Sequence, residues 1–183
     1  MAESTTWGLV VAAAGGLIGY AIKYWNDLQI ERSKAEIKFL SDQIQFLYGP
    51  LHALCAANES AWETFRSKYR PQGAFFGRHK LSESELEAWR QWTVEVFMPT
   101  NRAIVELILK NTHLIEGSQF PECFSAIISH VRPYEIVLSK WAKGDFSEHT
   151  AFSNYPNELN TYVGATFDEL KKRQTKLLQR FRL

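Results

Sequence analysis

The chain has 183 residues, 45% hydrophobic and 22% charged, with a formal net charge of +1. That balance excludes a disordered chain and a global field that would gather nucleic acid, and once an N-terminal anchor is set aside, about 155 residues are enough for one domain that folds without a disulfide or metal. The two cysteines, Cys55 and Cys123, are far apart in apolar stretches, which excludes a disulfide framework and reads as two buried free thiols.

The first element is apolar. Trp7 to Ile22 reads WGLVVAAAGGLIGYAI, and no charge falls between Glu3 and Lys23. Trp7 and Trp25 are 18 positions apart, about 27 Å along a helix, close to the thickness of a bilayer's hydrocarbon. Trp7 at one end and Tyr20, Tyr24 and Trp25 at the other suit interfacial belts. Residues 1–25 are therefore expected to form a single transmembrane helix. No lysine or arginine precedes it, whereas Lys23, Arg32, Lys34 and Lys38 follow. The positive-inside rule puts the N-terminus outside and the rest in the cytoplasm, at an inner (cell) membrane. An acidic start argues against a cleaved signal peptide, and the length without a charge argues against a core helix. Gly8, Ala12 and Gly16, and likewise Gly15 and Gly19, repeat every four residues. Small residues at that spacing let membrane helices approach closely, so copies are expected to associate here.

Residues 26–48 read as a helical stalk. Ile30, Ile37 and Ile44 recur every seven residues, with Ser33, Leu40 and Leu47 in the companion position. Such a seam fits either a parallel pair of copies or a face packed into the chain's own core. Phe39 and Phe46 lie off the seam.

Residues 49–183 read as a helical cytoplasmic domain. Gly49-Pro50 is expected to kink or break the first helix. A helical face follows in Leu51, Leu54, Cys55, Trp62, Phe65 and Tyr69, then a loop at Pro71, Gly73 and Gly77. Ser82 and Glu85 have capping-box spacing. The helix they open carries Trp89, Trp92 and Phe97, and Pro99 is expected to interrupt it. The next carries Ile104, Leu107 and Ile108, with Gly117 as its expected cap. Pro121 suits the first turn of a short helix that Pro133 ends or kinks, and a segment from Tyr134 closes at Gly144. Residues 145–155 read as loop, and Pro156 opens a last helix through Leu159, Val163, Phe167 and Leu170. No alternating strand pattern occurs. The expected fold is all-α, a transmembrane helix followed by a multi-helix bundle.

Motifs for chemistry are missing. None of the five histidines stands three or four positions from another, and there is no phosphate-binding loop, nucleophile elbow or dinucleotide fingerprint. No catalytic residue, metal or cofactor is expected, and sequence-specific nucleic-acid binding is not. Two basic stretches stand out. Between Thr64 and Ser82 there is no acid, while Arg66, Lys68, Arg70, Arg78, His79 and Lys80 surround Phe75 and Phe76. Cations hold phosphate, aromatic faces stack bases and glycines admit backbone N–H groups, so this loop is a candidate anion or nucleotide site. It reads equally as a solvated loop whose phenylalanines enter the bundle. Lys171, Lys172, Arg173, Lys176, Arg180 and Arg182 crowd the last helix, where the helix dipole alone favours cations.

The layout of glycine-rich span, stalk and small bundle resembles small bacterial single-pass membrane-anchored helical proteins, some of them effectors in antiviral defence. The small-residue face, the heptad and the basic aromatic loop together point to a non-enzymatic protein that self-associates in the bilayer and binds a cytoplasmic partner or anionic ligand, with altered membrane permeability as the response. A passive anchored scaffold recruiting a cytoplasmic protein is the alternative, and a hydrolase with a dispersed site is the third reading.

Overall fold

The computed structural model describes residues 2–70, 75, 76, 80–151 and 153–180, and the side chains from residue 15 onward. Every regular element among them is helical: α1 Ala2–Gln43, α2 Gly49–Tyr69, α3 Glu83–Trp92, α4 Met98–Lys110, α5 Glu122–Trp141 and α6 Glu158–Arg180. The all-α class is as expected. Among the residues whose side chains are described, which take in α1 only from Gly15 onward, no helix is long and apolar enough to cross a membrane. The side chains of residues 2–14, with Gly8 and Ala12, fall outside the described part.

The expected breaks at Gly49-Pro50 and Pro99 are corrected. Neither proline ends a helix. Ile44–Tyr48 and Thr93–Phe97 form π-helical turns that join α1 to α2 and α3 to α4. Proline has no N–H, and its ring crowds the carbonyl of the preceding turn. A turn widened by one residue removes that conflict. The Gly49 N–H donates to the Ile44 carbonyl and the Met98 N–H to that of Thr93, each five residues back. The wide turn also explains the glycine: a Cβ at position 49 would lie 2.5 Å from the Ile44 carbonyl oxygen. Pro133 is likewise inside α5, one helix where two segments were expected. Its flanks Val131 and Tyr134 are buried, so packing holds the axis through the missing hydrogen bond. Gly117 does not cap α4, which ends at Asn111 and passes into a 3₁₀ turn over Thr112–Leu114.

Other local signals are met. Ser82 caps α3 through both halves of the capping box, Glu85 N–H to Ser82 Oγ at 3.3 Å and Ser82 N–H to Glu85 Oε2 at 2.8 Å. Gly144, at φ +79°, turns the chain out of α5.

The result is four rods: α1–α2, α3–α4, α5 and α6. α2 packs on α4 and α6, α4 on α5, α5 on α6, and the end of α1 on α6. The core runs from Leu40 and Leu47 through Leu51, Ile104, Ile108, Phe124 and Ile127 to Leu159 and Leu170. An aromatic cluster closes one end, with Phe65 against Phe75 at 4.7 Å, Trp92 at 5.5 Å and Trp89 at 5.7 Å between ring centres. Residues 145–155, the expected loop, are tied down by two indole donors, Trp89 to the His149 carbonyl and Trp141 to that of Glu148, both at 2.7 Å.

Candidate functional site

α1 leads two lives. Leu40, Gln43 and Leu47 are fully buried. Between Gly15 and Asp27 every residue is exposed. Leu17 (71%), Tyr20 (70%), Ile22 (65%), Ile18, Tyr24 and Trp25 (61% each) have nothing of the domain against them. Beyond the local backbone of the helix itself, no described atom lies within 4 Å of where a Cβ would sit on Gly15, Gly16 or Gly19. The seam is split in the same way. Leu40 and Leu47 are core and Ile44 packs against it, whereas Ile30 and Ile37 are half-buried. In the stalk's last two turns, then, the seam faces the chain's own core; Phe39 and Phe46, off the seam, are exposed.

A polar knot, not foreseen from the sequence, fastens the base of the stalk. Gln43 Nε2 donates to the Leu114 carbonyl at 3.0 Å and to Glu116 Oε2 at 2.8 Å. Arg173 of α6 donates to Glu116 Oε1 at 2.6 Å, and the Glu116 N–H donates to the Tyr48 hydroxyl at 2.9 Å. Burial pushes the Glu116 carboxyl up, but the hydrogen bonds from Gln43 and Arg173 outweigh it and hold it below its ordinary value. Gln174 adds a bond to Ser41 Oγ at 2.9 Å. α1, the turn after α4 and α6 are thus locked where the stalk enters the bundle. No local pattern in the sequence signals this, because the partners are 57 to 133 positions apart.

The described members of the basic stretch sit in different surroundings. Phe75 is 1% exposed and belongs to the aromatic cluster. Phe76 stands edge-on to Trp89 at 4.9 Å and keeps a 39% exposed ring. Arg70 pairs with Glu85 at 2.7 Å. Arg66, Lys68 and Lys80 are exposed, with the Lys68 ammonium 5.2 Å from the centre of the Tyr69 ring. Arg78 and His79 lie outside the described residues. Among the described members, one cation is already neutralised and one phenylalanine is core, which leaves Phe76 as the stacking face.

His130 is buried and shares a 2.7 Å bond with the Ser153 carbonyl; burial holds its pKa below the usual histidine value. His52 stacks on Phe167 at 5.1 Å. Burial pushes the Cys55 thiol up to about 11, and both cysteines are free. Among the described residues no group of three or more His, Cys, Asp or Glu could hold a metal. A shallow groove of about 650 Å³ lies between α4 and α5 beside the Arg102–Glu135 pair. Comparison with family models, curated proteins and solved structures finds no match to this chain.

Proposed function

We propose that this chain is a non-enzymatic membrane-anchored protein: the N-terminal half of α1 crosses the inner (cell) membrane with its N-terminus outside, and the bundle stands in the cytoplasm. The observation that carries this reading is the exposure of Leu17, Ile18, Tyr20, Ile22, Tyr24 and Trp25 on a helix that has left its own domain. So much contiguous apolar surface calls for a cover, and hydrocarbon is the cover that also accounts for the charge-free stretch from Ser4 to Ile22. Copies associate through the open face at Gly15 and Gly19, as small residues allow in lipid. The bundle then receives a cytoplasmic protein or anionic ligand, and its binding shifts the assembled population and with it membrane permeability.

A second reading, an anchored scaffold that recruits a cytoplasmic protein without any small ligand, is favoured by the burial of Phe75 and the pairing of Arg70 with Glu85.

Alkaline carbonate extraction of membranes holding the full chain is the test. The chain stays in the pellet, and Ile18→Lys, which places a charge within the span at a cost of about 2.5–3.5 kcal/mol, releases it. Release of the unaltered chain overturns the anchor. Mass in detergent tests association: an oligomer that Gly15→Leu with Gly19→Leu converts to monomer supports it.

A further inference from the structure

Phe39, Phe46, Phe76, Phe120 and Phe146 are exposed. Three of them have partners: Phe76 stands against Trp89 at 4.9 Å, Phe120 against Phe124 at 6.0 Å, and the Arg90 guanidinium lies 4.3 Å from the centre of Phe146. Phe39 (46%) and Phe46 (47%), on the first rod, meet no other ring and no cation among the described residues.

The two rings share a side of that rod. Ser41 is bonded to Gln174 of α6, and Ile44 packs against the core. Phe39 and Phe46 are each two residues away, about 160° around the helix axis. They therefore face away from α6, and Ala35, one turn before Phe39, is exposed on the same side. Asp42, between the rings, is already paired with Lys38 at 2.6 Å.

Lipid does not reach this side of the stalk. At 1.5 Å per residue, Phe39 and Phe46 stand about 21 and 31 Å to the cytoplasmic side of Trp25, beyond a headgroup layer of about 6 Å. Their seven-residue spacing is the two-turn repeat by which parallel helices interlock. A cover for both must present an apolar helical face at the same two heights. A second copy, anchored in the same bilayer in the same orientation, holds its own Phe39 and Phe46 level with these. The face is only about three turns long, but anchoring raises the effective concentration at which copies meet, so a small face suffices.

We propose that Ala35, Phe39 and Phe46 form a second self-association face, on which the same face of a second copy sits in parallel outside the bilayer. The proposal rests on the reading that α1 spans the membrane. Gly15 and Gly19 lie about 120° and 160° around the axis from Phe39, so the two faces are on opposite sides of α1. Each copy meets one neighbour within the bilayer and another beside the stalk, and the assembly grows as a row rather than stopping at a pair.

The test is disulfide formation in membranes holding the full chain with Cys123→Ala, where Cys55 is buried, using copper phenanthroline and oxygen as the oxidant. Ala35→Cys is expected to link copies at least about fivefold more than Lys34→Cys, which stands about 140° around the axis from Phe39, because a disulfide needs Cβ atoms about 4 Å apart. Phe39→Ser with Phe46→Ser abolishes the Ala35→Cys product, whereas Gly15→Leu with Gly19→Leu leaves it. In membranes that keep the chain through a carbonate wash, three results overturn the phenylalanine face and leave the anchor standing: no product from Ala35→Cys, equal product from both positions, or a product that survives loss of the phenylalanines or is lost with the glycines. Loss of the chain in carbonate overturns the anchor, and this face with it.

Discussion

From Leu40 to Leu51 the first rod turns one face into the core: Leu40, Leu47, Tyr48 and Leu51 have no accessible surface, and Gln43 is bonded to Leu114 and Glu116. From Gly15 to Asp27 every residue of the same helix is exposed among the described residues. Apolar content does not separate the two regions. What differs is the company each finds. The sealed region has α6 and the Thr112–Leu114 turn against it, so its side chains contribute to folding. The bare region keeps its leucine, isoleucine and aromatic side chains open to an outside partner.

The sharpest way to break that comparison is to cut each region and measure unfolding. Phe65→Ala, at the centre of the aromatic cluster, is expected to lower stability by about 3–5 kcal/mol in urea titration of the full chain in detergent. Ile18→Lys is expected to leave the urea midpoint of the bundle unchanged. A shared loss would mean that the bare region packs on the domain after all. Next in size is Gly49→Ala, at the seam between regions. The new methyl meets the Ile44 carbonyl at 2.5 Å, so the π turn must shift, at a cost of about 1–3 kcal/mol that outweighs alanine's better helix propensity. A neutral result would show that the turn relaxes to ordinary α-helix without loss. The smallest effect concerns the knot. Glu116→Gln removes the charge of a pair whose side chains are 35–40% exposed, so the loss at pH 7 is about 0.2–1 kcal/mol. Because the folded carboxyl titrates below its ordinary value, its contribution is present above the usual carboxylate range and disappears as pH falls through the folded pKa. The gap between wild type and variant should therefore close in acid melts; a gap that persists at low pH would make the defect one of packing.

Much of this fold can be read from single positions. The Ser82–Glu85 box marks a helix start by chemistry confined to four neighbours, and Pro156 and Gly144 act as locally. The breaks expected at prolines 50, 99 and 133 did not follow because a proline only forbids one hydrogen bond. Whether the helix stops or widens depends on whether packing on both sides holds the axis, as Tyr48 and Leu51 do around Pro50. The seam of Ile30, Ile37 and Ile44 could not say whether its partner was another copy or α6, since both present a helix to it. The candidate site was less legible still. Phe75 and Phe76 are adjacent and chemically identical, yet one is core and one is half out. Gln43, Glu116 and Arg173 meet only through tertiary structure.

The π turn at Ile44–Tyr48 has a mechanical corollary. A hinge there would have let bundle and N-terminal helix turn independently; a continuous helical path from Ala2 to Tyr69 does not. Each residue added to or removed from the stalk would swing the apolar half by about 100° and displace it by about 1.5 Å relative to the bundle. The heading of the bundle is thus geared to that of the N-terminal helix, and twisting one twists the other.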